Sequence, residues 1–278
     1  MTEYFQTLKD PRQQAKVMHN FAETVMMVVC AVIAGCDVWE DIADYCRVKE
    51  AWLRDRIGLK LENGIPSHDT MSRVFGMLDP KEFQARFIEW AQVACGKHSR
   101  EILSFDGKTI RGSRDGEEKP VHMVSAWANK ARAVFGQLAV DEKSNEITAV
   151  PMLLELLDIE GCIITADAMS CQKGIVKTIR GKGADYVIGL KKNQPNLLEE
   201  ISLYYDSFSQ EIPVLTVREK GHGRIEKREY QLLTDLTWLN ERENWAGLNA
   251  AGRVRTRPCL KNSGMHKRRG IFVPDKAH

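Results

Sequence analysis

FDGKTIRGS at 105–113 and TADAMSCQKG at 165–174 are the two stretches on which the reading of this chain turns. In each, an apolar, strand-like run gives way to a polar turn, and one aspartate stands at the junction: Asp106 in the first, Asp167 in the second. Metal-dependent nuclease and strand-transfer sites are built this way. Rigid strands aim carboxylates at a common point, where divalent ions activate an attacking oxygen and stabilise a leaving one. An aspartate at a strand end is also an ordinary turn residue or helix cap. The surrounding pattern has to separate the two readings.

That pattern predicts strands over Glu101–Phe105, His122–Ala128 and Ala133–Val140, joined by short turns as an antiparallel meander. A helix over Pro151–Leu157, a short buried strand over Cys162–Ala166 and a helix over Gln172–Arg180 come next. A strand over Tyr186–Leu190 and a helix over Asn196–Tyr205 complete the series. Such an order gives an α/β layer, a mixed sheet covered by helices. It lets the first and fourth strands lie side by side, so that Asp106 and Asp167 meet at one edge of the sheet. Two further strand-like runs, Val214–Glu219 and Arg228–Leu233, are joined by KGHGR at 220–224. From Asn249 to His278, eight residues are Lys or Arg against one acid, Asp275, with no sustained amphipathic pattern.

Upstream, residues 1–95 read as helical. An apolar helix runs from about Phe21 to Ala34 and stops near Gly35; a second, amphipathic, covers Trp39–Leu53. Ser67 or Asp69 caps a helix carrying Met71, Val74, Phe75 and Leu78, and Asp79-Pro80 starts another with Phe83, Phe87 and Trp90 on one face. Aromatics at that spacing are core.

A net charge of +2 excludes a uniformly basic nucleic-acid coat, so DNA binding has to come from local patches. Seven cysteines occur without a CxxC pair or a histidine cluster at zinc spacing. That points to reduced thiols in a cytoplasmic protein, against both a disulfide framework and a structural zinc. The most apolar run, Val25–Cys36, is too short to span a bilayer.

Eight stretches carry a resemblance: DPRQQAKVMH (10–19), AVIAGCDVWEDIADY (31–45), NGIPSHDTMSRVF (63–75), FDGKTIRGS (105–113), VHMVSAW (121–127), DEKSNEITAVPMLLELLDIEGCIITADAMSCQKGI (141–175), ADYVIGLKKNQPNL (184–197) and HGRIEKR (222–228). Through them the chain resembles the H-repeat-associated transposases of bacterial insertion sequences, the ISAs-one group. The resemblance implies an RNase H-like fold, a helical associated domain over 1–95 and a DDE catalytic domain over 100–255. It also implies DNA cutting and joining at insertion-sequence ends and a target, with Mg²⁺ or Mn²⁺ as cofactor. Asp106 matches the first triad carboxylate and Asp167 the second. Both are hard oxygen ligands suited to Mg²⁺, which takes few protein carboxylates and completes its shell with water and phosphate oxygens. Homo-oligomers are a further expected partner.

The family's third acid is a Glu in a helix reading roughly W-x-[IV]-E-N-x-L-H-W, and no such stretch occurs in this sequence. In its place stands SGMHKRRGIFVPDKAH (263–278). Codons CGG-TAT-TTT-TGT-C encode Arg-Tyr-Phe-Cys, and one base later they give Gly-Ile-Phe-Val, residues 270–273. The expectation is a frameshift between about Thr256 and Lys267, a tail over 256–278 of foreign frame, and a truncated, aggregation-prone transposase that keeps two ligands. Glu226, in HGRIEKREY, is the alternative third ligand of a working nuclease; an acid so placed more often sets its turn or pairs with a neighbour, here Arg224 or Arg228. Lys108 and Arg111 flank the first aspartate, Lys191 and Lys192 follow the strand after the second, and His222 and Arg224 belong to the HGR motif. Cations around two acids suit phosphate contacts that position a strand without reading bases. Any of them is also an ordinary solvated charge.

Overall fold

The computed structural model describes residues 2–13, 15, 17–96, 100–110, 121–140, 146–221, 224–258 and 268–273. It divides into two compact units, Met1–Ala94 and Cys95–His278.

The first unit is helical: α1 (Thr2–Gln6), α2 (Phe21–Ile33), α3 (Trp39–Val48), α4 (Glu50–Trp52), α5 (His68–Gly76) and α6 (Pro80–Cys95), whose last residue crosses the division. Asn20 caps α2 by accepting from the Glu23 amide at 3.1 Å, and the Ser67 hydroxyl caps α5 by accepting from Thr70 at 3.3 Å. Val25 to Ala31 of α2 are all buried, so this helix is apolar on every side and forms the centre of the unit. The amphipathic stretch expected to end at Leu53 continues as a π-turn over Leu53–Ile57, stopped by Gly58 at φ +80. Phe83, Phe87 and Trp90 contact one another in series, the first pair tilted and the second edge-on, with centroids 6.0 and 5.3 Å apart, in keeping with their helical spacing.

The second unit is built on a sheet ordered β3-β2-β1-β4-β5 at one end. Its strands are β1 (Ile102–Thr109), β2 (His122–Ala128), β3 (Ala133–Val140), β4 (Ile163–Ala166) and β5 (Asp185–Leu190). The first three pair antiparallel, while β1–β4 and β4–β5 are parallel, which makes the mixed α/β sheet expected of an RNase H-like fold. Helices α7 (Glu146–Leu156) and α8 (Lys173–Gly181) supply the crossovers. One face of these strands is dry: Leu103, Phe105, Val124, Ala126, Ile164, Tyr186 and Ile188 are buried, and α7 and α8 bury Leu153, Leu154, Ile175 and Ile179. The alternate residues Ser104, Asp106, Ser125, Trp127, Thr165 and Val187 are half-buried or exposed.

Beyond β5 the sheet continues as β9 (Arg268–Val273), β8 (Ala251–Pro258), β7 (Arg224–Leu233) and β6 (Leu215–Gly221), after helix α9 (Pro195–Ser207). Two strands thus lie in the stretch from Asn249 that showed no sequence pattern, and β9 joins β5 to β8 through antiparallel pairs on both sides. Arg253 shows part of the reason. A basic residue in a basic run, it is 4% exposed, bonded to Gln231 and Asp206 and stacked 4.3 Å over the Tyr205 ring. No helix among the described residues is long and apolar enough to cross a membrane.

Glu101, just before β1, is 1% exposed. Its carboxylate accepts from the amides of Lys130 at 2.7 Å and Ala131 at 3.3 Å, holding the β2–β3 turn, while its carbonyl accepts from Ile163 at 2.8 Å at the start of the parallel ladder. Replacing it with alanine removes a carboxylate that accepts from three backbone amides, those of Ile102, Lys130 and Ala131. We expect Glu101→Ala to cost about 1–3 kcal/mol of unfolding free energy, read from urea melts. Burial raises the Cys46 thiol to about 12, the Cys171 thiol to about 11 and the Tyr205 hydroxyl to about 12. Each group keeps its proton in the folded state to a higher pH than when unfolded, so its stabilisation is complete below about pH 9. Above that the unfolded chain releases protons first. The urea midpoint should therefore fall steadily as pH rises from about 9 toward 12.

Candidate functional site

The parallel register of β1 and β4 generates the site. Ile102 pairs with Ile163, Leu103 with Ile164 and Ser104 with Thr165, a constant offset of 61 residues. Side chains alternate, so Ser104 and Thr165 share the open face, and the Thr165 hydroxyl donates to Ser104 Oγ at 3.0 Å. Two residues further along each chain, on the same face, stand Asp106 and Asp167. Asp167 keeps extended backbone, φ −71 and ψ 177, so the strand direction persists one step past the last ladder pair. Adjacent strands lie ~4.8 Å apart, which sets Asp106, within β1, and Asp167, just past the end of β4, on neighbouring strands of one face. Both residues are exposed.

Their local settings differ. Asp106 lies within β1, opposite Ser125 of β2, because β2 continues the ladder as far as Thr109. The expectation that β1 ends at Phe105 is corrected by that partner strand. Lys108, two residues on and so on the same face, sits with Nζ 3.3 Å from Asp106 Oδ2; both are largely in solvent. Asp167 does end its strand. One of its carboxylate oxygens accepts from the Met169 amide at 2.9 Å and opens a 3₁₀ turn, Ala168–Ser170. It is thus a turn cap and a member of the pair at once.

Lys191 and Lys192 follow β5 at the same end of the parallel strands and are exposed. Arg224 opens β7, its backbone in register with Gly221. Arg111 and His222 lie outside the described residues. Glu226 is on β7, whose place in the sheet is five strands from β1. At ~4.8 Å per strand that is roughly 24 Å across the sheet from Asp106. Its carboxylate accepts from Arg228 at 3.2 Å, the local ion pair that its neighbours in sequence allow. Among the described residues no group of three or more His, Cys, Asp or Glu side chains gathers to hold a metal ion. What the pair presents is two hard oxygen donors on one face, a partial set that fits a divalent ion whose other ligands are water and phosphate.

Two side chains near the pair carry a role that pattern reading does not assign. Asn193 donates to the Ala168 carbonyl at 2.6 Å and Gln194 to the Cys171 carbonyl at 2.8 Å, so both grip the turn after Asp167. KKNQ at 191–194 is legible as two cations and two amides, but the carbonyls the amides bond to are 25 and 23 residues away.

A family model described as "Transposase DDE domain" matches residues 97–239, and one described as "DDE_Tnp_1-associated" matches residues 2–91. An uncharacterized protein of Xanthobacter autotrophicus is 38% identical over 99% of this chain and 94% of its own length. "Putative transposase YncI" of Escherichia coli (strain K12) is 41% identical over 82% of this chain and 93% of its own. "H repeat-associated putative transposase YhhI" of the same strain is 39% identical over 82% of this chain, but that match spans only 61% of the relative. Among solved structures, a piggyBac transposase synaptic complex with hairpin DNA aligns at TM-score 0.38 and 11% identity. It covers 98% of this chain and 57% of that one, an overlap too loose to bear on function. With its catalytic-domain model matched over half the chain and relatives near 40% identity along most of it, the chain belongs to the DDE-domain transposase family, alongside the H repeat-associated transposases.

Proposed function

We propose that the second unit is a DNA strand-cleavage and strand-transfer module of the DDE type, in which Asp106 and Asp167 are two of the three carboxylates that hold Mg²⁺ or Mn²⁺. The observation that carries this is the constant register of β1 and β4, which brings two acids 61 residues apart onto one open sheet face. A divalent ion bound there supplies charge stabilisation at a phosphodiester and lowers the pKa of a coordinated water. The chain's own residues do the rest. The carboxylates orient the ion, and Lys108, Arg111, Lys191, Lys192, His222 and Arg224 are the proposed cations for the phosphates of element ends and target. The domain limits proposed are 1–95 for the associated helical domain and 100–255 for the catalytic one.

The pair of aspartates is an incomplete site. The W-x-[IV]-E-N-x-L-H-W stretch is not in the sequence, and β7, which carries Glu226, lies five strands from β1 in the sheet order. We infer that these residues bind DNA and, weakly, one cation, and do not by themselves complete strand transfer. The third acid then has to come from outside them, a second protein copy being one source. The basic tail weighs against a frameshift peculiar to this chain, since an alignment over 99% of the chain to the Xanthobacter protein takes in those residues too. The β9 pairing gives part of that tail a place in the sheet.

Purified protein mixed with supercoiled plasmid and Mg²⁺ or Mn²⁺ should leave it uncut. Its binding to a DNA duplex should weaken on the order of a hundredfold between about 50 and 200 mM salt if about four phosphates are contacted. Nicking that Asp106→Asn abolishes would show that these residues are sufficient for cleavage. Salt-insensitive binding would remove the phosphate-contact reading.

A further inference from the structure

We propose that Asn193 and Gln194 are positioning residues for Asp167: their side-chain amides clamp the turn that aims its carboxylate toward Asp106. This rests on the reading of the aspartate pair as a cation site.

The need for a clamp arises where the ladder stops. The last β4–β5 pair is Ala166 with Ile188, so Asp167 receives no strand pairing and its direction depends on the next few residues. These form one short 3₁₀ turn, Ala168–Ser170, of the kind that holds poorly on its own. Its internal bonds are the Ser170 amide to Asp167 O at 3.2 Å and the Cys171 amide to Ala168 O at 3.2 Å. Asn193 adds a second donor to that same Ala168 carbonyl, and Gln194 donates to the Cys171 carbonyl at the far end. Gly189 completes the seat. A Cβ at that position would meet the Ala168 backbone nitrogen at 3.4 Å, so the turn rests against β5 at contact distance.

The clamp is itself anchored. Asn193 and Gln194 leave β5 through a turn closed by the Gln194 amide on Lys191 O at 3.1 Å, and Pro195 starts α9 immediately after. The orientation of both amides is forced, because each faces a carbonyl oxygen and only an N–H can satisfy it. An isosteric carboxylate therefore discriminates between roles. Asn193→Asp places an oxygen against the Ala168 carbonyl and brings a negative charge beside the aspartates. If Asn193 acted on the cation only through charge, the variant would tighten binding. Acting through the turn, it must weaken it, as loss of supporting hydrogen bonds around metal ligands commonly does by about 10–100-fold.

The test is Mn²⁺ titration of the full chain followed by electron paramagnetic resonance of the free ion, with thermal melts of every variant. We expect the wild-type protein to bind Mn²⁺ and Asp106→Asn/Asp167→Asn to abolish binding. Asn193→Asp and Gln194→Met should each raise the dissociation constant at least tenfold with the melting transition retained. Unchanged or tighter binding in Asn193→Asp, with Gln194→Met like wild type, overturns the positioning role while leaving the cation site intact. No Mn²⁺ binding by the wild type, or binding that survives loss of both aspartates, overturns the cation site and the positioning role with it.

Discussion

Everything on the open face of the sheet depends on the parallel pairing of β1 with β4, and that pairing begins with the Ile163 amide donating to the Glu101 carbonyl at 2.8 Å. A slip of one residue would turn Asp106 and Asp167 onto opposite faces, because strand side chains alternate with period two. The register is held from both sides. Leu103, Phe105 and Ile164 occupy the dry face, where exchange for a polar neighbour is costly, and the Ser104–Thr165 hydroxyl contact marks the other. Glu101 reinforces the base by holding the β2–β3 turn with its buried carboxylate, so one residue ties β1 to two neighbours at once.

The two faces of the five-stranded end differ: one packs against helices and the other is open. Hydrophobic burial against α7 and α8 stabilises the layer and leaves the opposite face free for polar groups. That face is not uniformly polar. Trp127, opposite Ser104, is 41% exposed, and its cross-strand neighbour Val134 is 36% exposed, so apolar surface sits close to the aspartates. The site also draws on structure from three places in the chain. β1 carries one aspartate, the end of β4 the other, and the exit from β5 the amides that bond to the turn after the second.

Much of this is legible in local sequence pattern. The strands His122–Ala128 and Ala133–Val140 match their predicted limits because alternation and flanking turns mark both ends. The buried helix α2 matches within a residue, since a continuous apolar run bounded by Asn20 and Gly35 admits little else. Misreadings cluster where a partner, not local pattern, decides. α7 begins at Glu146 and carries Pro151 inside it, although a proline usually marks a helix start. β8 alternates Arg253, Arg255 and Arg257 with Val254 and Thr256 and reads as a solvated basic run until Gln231, Tyr205 and Asp206 are seen around Arg253.

The amino-acid sequence by itself determined the class of fold and the family and marked the two candidate acids, because periodicity, turn residues and specific words of sequence are local properties. It could not determine whether the acids share a face, since that depends on a register between strands 61 residues apart, nor that Asn193 and Gln194 grip the turn after Asp167. Glu226 shows the same division. As a residue type near an HGR motif it is a credible ligand, and only the order of strands in the sheet sets it roughly 24 Å from the pair. Pairing between distant strands is settled by the whole dry face packing at once, and that information is spread over the chain, not carried by any one motif.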